Sequence, residues 1–152
     1  MGVNYQLRGK NIYLDANIFI YMLEGYLEFV PILQQIFQNI DNGTLYGTTS
    51  ELTLAETLVK PMADKNVALQ KIYQETIQTS AVLQICPVSR DVLIAAAKLR
   101  NNTFRLPDAI HLATAYLTNC QTFLTNDKRL KTFMDVNVVL LSEIKNSTLI
   151  MA

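Results

Sequence analysis

The sequence predicts an α/β fold, a mainly parallel sheet of four to five strands covered by helices on both faces. Three observations predict it. Short β-prone apolar runs alternate with longer stretches whose apolar residues recur at helical spacing. The first of the short runs, Ile12-Tyr13-Leu14, is unbroken by polar residues, as a strand buried on both faces must be. The 152 residues, half of them apolar, suffice for one core, and no linker, repeat or low-complexity tract divides them, so residues 1–152 are expected to form a single domain.

The elements follow in order. The first strand ends at Asp15, and Asn17 reads as the N-cap of a buried helix carrying Ile18 to Leu23. Pro31 to Ile40 places Ile32, Leu33, Ile36, Phe37 and Ile40 on one helical face, and Asp41-Asn42-Gly43 stops that helix. A strand over Leu45 to Thr49 runs into Ser50, an N-cap for a helix from Glu51 to Val59 that is expected to stop near Pro61. A longer helix is expected from Asp64 to Ser80, carrying Val67, Ile72, Tyr73 and Ile77. Val82 to Cys86 reads as a strand ended by Pro87, and Asp91 to Arg100 as a helix broken at Asn101-Asn102-Thr103. Pro107 opens a helix to about Leu117. Thr122 to Thr125 is a strand, Asp127 to Phe133 a short helix and Asn137 to Leu141 the last strand. Ser142 to Ala152 suggests no more than a helical turn.

Bulk properties narrow the function. A formal net charge of zero lacks the basic excess that announces nucleic-acid binding, leaving only a local basic rim for such a role. Cys86 and Cys120 have neither zinc-site spacing nor the density of a disulfide scaffold, and read as buried thiols in a reducing compartment. No apolar run approaches the ~18 residues of a membrane span, and the first residues do not resemble a secretory signal. The expectation is a soluble cytoplasmic protein without a membrane partner.

Four acids stand where ordinary surface carboxylates would not. Asp15 lies at a strand's carboxyl end beside a helix start, the edge at which open α/β sheets bind ligands. Glu56 falls among Leu52, Ala55 and Val59, which read as the apolar stripe of their helix, so it needs either a basic partner or a shared cation. Asp108 occupies the first turn of a helix, Ala109 to Ala115, whose surface is nearly all small or apolar. Asp127 follows the strand at Thr122–Thr125. Helix capping explains Asp15 or Asp127 alone, and the helix macrodipole explains Asp108, but neither explains why the acids recur at strand and helix ends. His111, one turn beyond Asp108, reads either as a base or supporting partner or as a satisfied core histidine.

The ordered series Leu14-Asp15-Ala16-Asn17, Leu54-Ala55-Glu56-Thr57, Leu106-Pro107-Asp108-Ala109-Ile110-His111 and Leu124-Thr125-Asn126-Asp127 resembles the PIN-domain family. It is similar in particular to the small VapC-type toxin ribonucleases, from roughly Lys10 to Ser142. The resemblance implies a three-layer α/β/α sandwich whose four acids bind Mg²⁺ or Mn²⁺ and cleave RNA. Family members of this type often form homodimers and are often silenced by an antitoxin, so both partners are implied here. By the same resemblance Asn17 and Thr125 orient the acids or a water.

Elementary chemistry agrees with that set. Several carboxylates in one pocket repel by roughly 3 kcal/mol per pair at about 5 Å and need a cation. Hard oxygen ligands from separate segments suit Mg²⁺, and a single histidine argues against a zinc hydrolase. Asp15 and Asp108 are expected as principal ligands, with Glu56 and Asp127 completing the shell, one of them accepting a proton from the attacking water. Arg105, Lys128 and Arg129 neighbour the acids and read as phosphate contacts or as solvated surface charges. Two other functions stay open: a catalytically silent RNA- or protein-binding scaffold, and a haloacid-dehalogenase-like phosphotransferase with Asp15 as nucleophile. The second wants an acid where Asn17 stands.

Overall fold

The computed structural model of the chain describes residues 4–100, 103–144 and 148–151. The break expected at Asn101-Asn102 lies outside the described residues. In chain order the elements are β1 (Asn4–Leu7), β2 (Asn11–Leu14), α1 (Ala16–Leu23), α2 (Val30–Asp41), β3 (Tyr46–Ser50), α3 (Glu51–Ala63) and α4 (Val67–Thr76). There follow β4 (Leu83–Cys86), α5 (Arg90–Leu99), α6 (Leu106–Leu117), β5 (Thr122–Thr125), a 3-10 helix (Lys128–Thr132), β6 (Asn137–Leu140), α7 (Leu141–Ile144) and β7 (Thr148–Met151).

Five strands pair in the order β4-β3-β2-β5-β6, every pair parallel. The chain builds outward from β2 through β3 to β4, then crosses back to β5 and β6 on the other side. The order therefore reverses between β2 and β5, and their carboxyl ends form a switch point open to ligands. Successive strand residues point to opposite faces. Ile12, Leu14, Leu124 and Val139 join Phe19, Leu33, Ile36 and Tyr73 in one core layer. Tyr13, Phe123 and Val138 face the other way, onto Leu112 and Ala115 of α6, which also packs on α5 through Ala96, Ala109 and Ala113. The result is the expected three-layer α/β/α sandwich.

Four local expectations are corrected. Asp15, not Asn17, caps α1: its Oδ1 accepts the Ala16 N–H at 2.8 Å. Pro61 does not end α3, which runs on to Ala63. A proline so near the terminus removes only one helical hydrogen bond, and its own carbonyl accepts from the Asn66 N–H at 2.8 Å. The stretch expected as one helix from Asp64 starts only at Val67. Lys65 adopts a left-handed φ of 54°, and Asn66 caps the new helix by accepting from the Leu69 N–H. That helix ends at Thr76 rather than Ser80, because the Thr79 and Ser80 hydroxyls accept the Ile85, Val82 and Leu83 N–H groups in a turn into β4.

Two strands were not anticipated: β1 and β7 pair in parallel as a separate two-stranded sheet. Gly43 closes α2 as expected, with the positive φ of 80° that glycine tolerates. Cys86 and Cys120 are buried free thiols. No helix among the described residues is long and apolar enough to cross a membrane.

Leu33 is fully enclosed between α2 and the sheet. Leu33→Ala is expected to lower unfolding free energy by about 2–5 kcal/mol in urea titrations, from lost burial and the cavity left behind.

Candidate active site

The carboxyl ends of β2, β3 and β5 and the first turns of α1 and α6 meet at the switch point. Asp15 leaves β2 with its backbone N–H bonded to the Leu124 carbonyl at 3.1 Å, so it stays tied to β5 beyond the last strand residue. Its side chain is buried. Besides capping α1 through Oδ1, it accepts the Thr125 hydroxyl on Oδ2 at 2.7 Å. Thr125 is fully buried at the end of β5, and its oxygen in turn accepts the Asp127 N–H at 3.1 Å and the Asn17 amide at 3.4 Å. With its proton committed to Asp15, Thr125 fixes the Asn17 amide as a donor. The Asn17 Oδ1 is then left buried with no protein partner.

His111 sits beneath the acids, almost wholly buried. Its Nε2 meets Glu56 Oε1 at 2.5 Å and lies 3.8 Å from Asp15 Oδ1, while Nδ1 pairs with the Tyr13 hydroxyl at 2.6 Å. Tyr13 is fully buried in β2, and burial, reinforced by the negative charge of Asp15, pushes its phenol well above the usual value. It therefore stays protonated and donates to Nδ1 when the imidazole is neutral. By sequence alone Tyr13 reads as plain core. The legible signal is a phenol in a strand buried on both faces, whose O–H needs a partner.

Burial disfavours a charged His111, but the Glu56 hydrogen bond and the nearby Asp15, Glu56 and Asp108 charges outweigh it and raise the imidazole above its ordinary value. Burial likewise raises the Asp15 carboxyl, against the pull of His111 and its two hydrogen-bond donors. His111 is thus neither a bystander in the core nor part of the surface; it joins two of the four acids.

Glu56 reaches this site by a different route from the one expected. Ala55 and Val59 are exposed, and the buried line of α3 is Thr53, Thr57 and Pro61. Hydroxyls occupy that line because they satisfy local acceptors: Thr53 meets Thr49, whose hydroxyl donates to the Leu14 carbonyl at the end of β2. Glu56 lies beside the line as an exposed residue and leans over to His111.

Asp108 and Asp127 form the second half. Asp108, in the first turn of α6, reaches back to the Arg105 N–H at 3.4 Å. Asp127 caps the 3-10 helix by accepting the Arg129 N–H at 3.0 Å. The Arg129 guanidinium grips Asp127 through Nε at 3.0 Å and Nη2 at 2.5 Å, and the same Nη2 reaches Asp108 Oδ2 at 3.2 Å. These hydrogen bonds hold the Asp127 carboxyl below the usual range. Arg129, expected as a phosphate contact or a solvated charge, is instead bound to the acids; Arg105 and Lys128 are exposed nearby.

The four acids consequently belong to one chain of contacts, Glu56–His111–Asp15–Thr125–Asp127–Arg129–Asp108. They do not converge on a single point. Among the described residues no three acidic, histidine or cysteine side chains are close enough to hold one ion; His111 is seated on Glu56, and Arg129 bridges Asp108 and Asp127.

The sequence model of the PIN domain matches residues 12–135, a span that contains all four acids. This chain belongs to the PIN-domain family. No curated protein matches it significantly. Its PIN domain is similar to a toxin–antitoxin complex chain from Klebsiella pneumoniae, with 23% identity, a TM-score of 0.64, and coverage of 86% of this chain and 97% of that one. It is also similar to a chain of VapBC2 from Rickettsia felis bound to promoter DNA, with 16% identity, a TM-score of 0.66 and coverage of 86% and 98%. A chain of DNA-bound VapBC from Salmonella typhimurium gives 14%, 0.64, and 88% and 99%. At these identities the likeness is one of fold.

PIN-domain nucleases generally use divalent metal ions, and the donor types here suit such an ion, although no three of these side chains stand close enough to hold it in this arrangement. The acids offer hard oxygens, and the Asn17 Oδ1 is a buried acceptor still lacking a partner. The phosphotransferase alternative gains no support, since the position two residues beyond Asp15 is the amide Asn17, which donates to Thr125, and not a second acid.

Two outcomes follow from this geometry. Thr125→Val would strip partners from the Asp15 Oδ2, the Asp127 N–H and the Asn17 amide together, and should cost about 2 kcal/mol or more in chemical denaturation, with Thr125→Ser close to wild type. Folded His111 holds its proton more tightly than the unfolded chain, so that contribution is complete below about pH 6.5 and is lost as pH rises through the raised value. In EDTA the melting temperature should therefore fall as pH is raised from about 6.5, and His111→Gln should flatten that slope.

Proposed function

We propose that this PIN domain is a divalent-metal-dependent endoribonuclease that acts as the toxin of a toxin–antitoxin pair. The observation that carries the reading is the linkage of Asp15, Glu56, Asp108 and Asp127 through one network at the switch point of the sheet. Asp15 and Asp108 would hold Mg²⁺ or Mn²⁺, with Glu56, Asp127 and the orphan Asn17 oxygen completing its surroundings directly or through water. When bound, the ion supplies Lewis acidity toward a phosphodiester.

The chain's own residues prepare the rest. Thr125 and the α1 amino end hold Asp15 in one orientation. His111 fixes Glu56, whose free oxygen is placed to accept a proton from a water. Arg105 and Lys128, exposed beside the acids, would meet the flanking phosphates of RNA. The named complexes among the structural neighbours support an antitoxin partner. The exposed apolar residues Leu93 and Ile94 of α5 and Tyr116 and Leu117 of α6 offer a surface for a homodimer.

One observation favours a second reading, the silent scaffold. Because His111 and Arg129 already offset part of the acids' charge, the repulsion within the quartet is reduced without a metal. A single comparison separates the two. Mg²⁺- or Mn²⁺-dependent cleavage of a mixed RNA pool should fall about 100-fold or more in Asp15→Asn, with an unchanged circular dichroism spectrum. Absence of cleavage by the wild-type chain across diverse RNAs would favour the scaffold, and equal cleavage by the variant would remove Asp15 from the chemistry.

A further inference from the structure

Among the described residues, Arg129 is the arginine or lysine whose side chain touches two of the four acids at once. Its backbone N–H and Nε both donate to Asp127 Oδ1, and Nη2 is shared between Asp127 Oδ2 and Asp108 Oδ2. Asp108 and Asp127 lie on separate elements, α6 and the turn after β5, so this guanidinium fastens the two sides of the site together. The capped turn makes the arrangement local: Asp127 caps the 3-10 helix through the N–H of the very residue whose side chain it binds. The neighbouring lysines are placed differently. Lys131 donates to the Val138 carbonyl at 3.1 Å and pairs with Glu143, and Lys128 is an exposed residue.

A carboxylate oxygen engaged by a guanidinium has fewer lone pairs left for a metal, and the guanidinium's charge repels an approaching dication. The Arg129 side chain is partly exposed, at 41%, so it can swing into solvent without unfolding its surroundings. We propose that Arg129 is a resident competitor for the metal site: it occupies Asp108 and Asp127 until a divalent cation displaces it, and so sets the cation concentration at which the site loads. The inference rests on the metallonuclease reading and concerns affinity rather than the cleavage step. It also accounts for how the metal-free protein tolerates two neighbouring carboxylates.

The test is Mn²⁺ binding to the full chain, followed by electron paramagnetic resonance and by melting temperature with and without EDTA. Arg129→Met keeps much of the length of the side chain and removes its charge. It should bind Mn²⁺ roughly three- to tenfold more tightly than wild type, the range expected for losing a partly exposed two-carboxylate ion pair. Its melting temperature in EDTA should drop, and Mn²⁺ should restore more of it than the ion adds to wild type. Lys128→Met removes the same charge one residue away and should leave Mn²⁺ affinity within about twofold. Should Arg129→Met not fold, Arg129→Lys, which keeps the charge but loses the fork, should show an intermediate gain. Equal finite affinities for wild type and the Arg129 variants, or an equal gain from Lys128→Met, would overturn the inference alone. No Mn²⁺ binding by any of these proteins would overturn the metallonuclease reading and the inference with it.

Discussion

Four carboxylates gathered at one edge of a sheet repel one another, and that repulsion is the constraint to which the rest of this structure answers. At an effective dielectric near 20, two such charges about 5 Å apart cost roughly 3 kcal/mol. The protein meets the cost from within, by setting one cationic or ionisable group into each half of the quartet. His111 serves Asp15 and Glu56, and Arg129 serves Asp108 and Asp127. The two groups differ in kind. His111 is locked in the interior by Tyr13 and cannot leave without disturbing the core, whereas Arg129 stands at the surface on a flexible stem.

Between the halves stands Thr125, whose hydroxyl donates to Asp15 and accepts from the Asp127 backbone. A single buried hydroxyl at a strand terminus thus sets the spacing of the two sides. Its position follows from topology. Thr125 lies 110 residues beyond Asp15 in the chain, yet β5 pairs directly with β2, because the crossover that returns from β4 brings the two carboxyl ends side by side. The Asp15 N–H bonded to the Leu124 carbonyl continues that pairing one residue past the strand, so the site inherits the rigidity of the sheet centre.

The architecture was legible because its signals are short-range. Ile32, Leu33, Ile36 and Ile40 repeat at helical spacing, which is enough to find α2, and all four are buried in it. β5 was read to the residue, since Thr122 to Thr125 is β-prone and bounded by polar residues. Sequence pattern and structure part where a local rule meets a tertiary use. Pro61 was expected to stop α3, yet it sits in the buried line of that helix, where its ring packs and its carbonyl takes up Asn66. Lys65 adopts a left-handed conformation that no propensity assigns to lysine. The pairing of β1 with β7 joins segments near the two ends of the chain, a contact that neither short segment signals alone.

For the site, the letters alone singled out Asp15, Asp108 and Asp127 by their places at strand and helix ends and Glu56 by a stripe that proves exposed, and the fold links all four in one network. They did not determine the partners. That Glu56 reaches His111 from beside a line of threonines, that Tyr13 supports His111 from within a strand, and that Arg129 spans two acids instead of facing solvent are consequences of distances across the fold. Charge compensation acts through space and not along the chain. Only folding, by bringing α3, α6 and the turn after β5 to the same edge of the sheet, decides which cation answers which carboxylate.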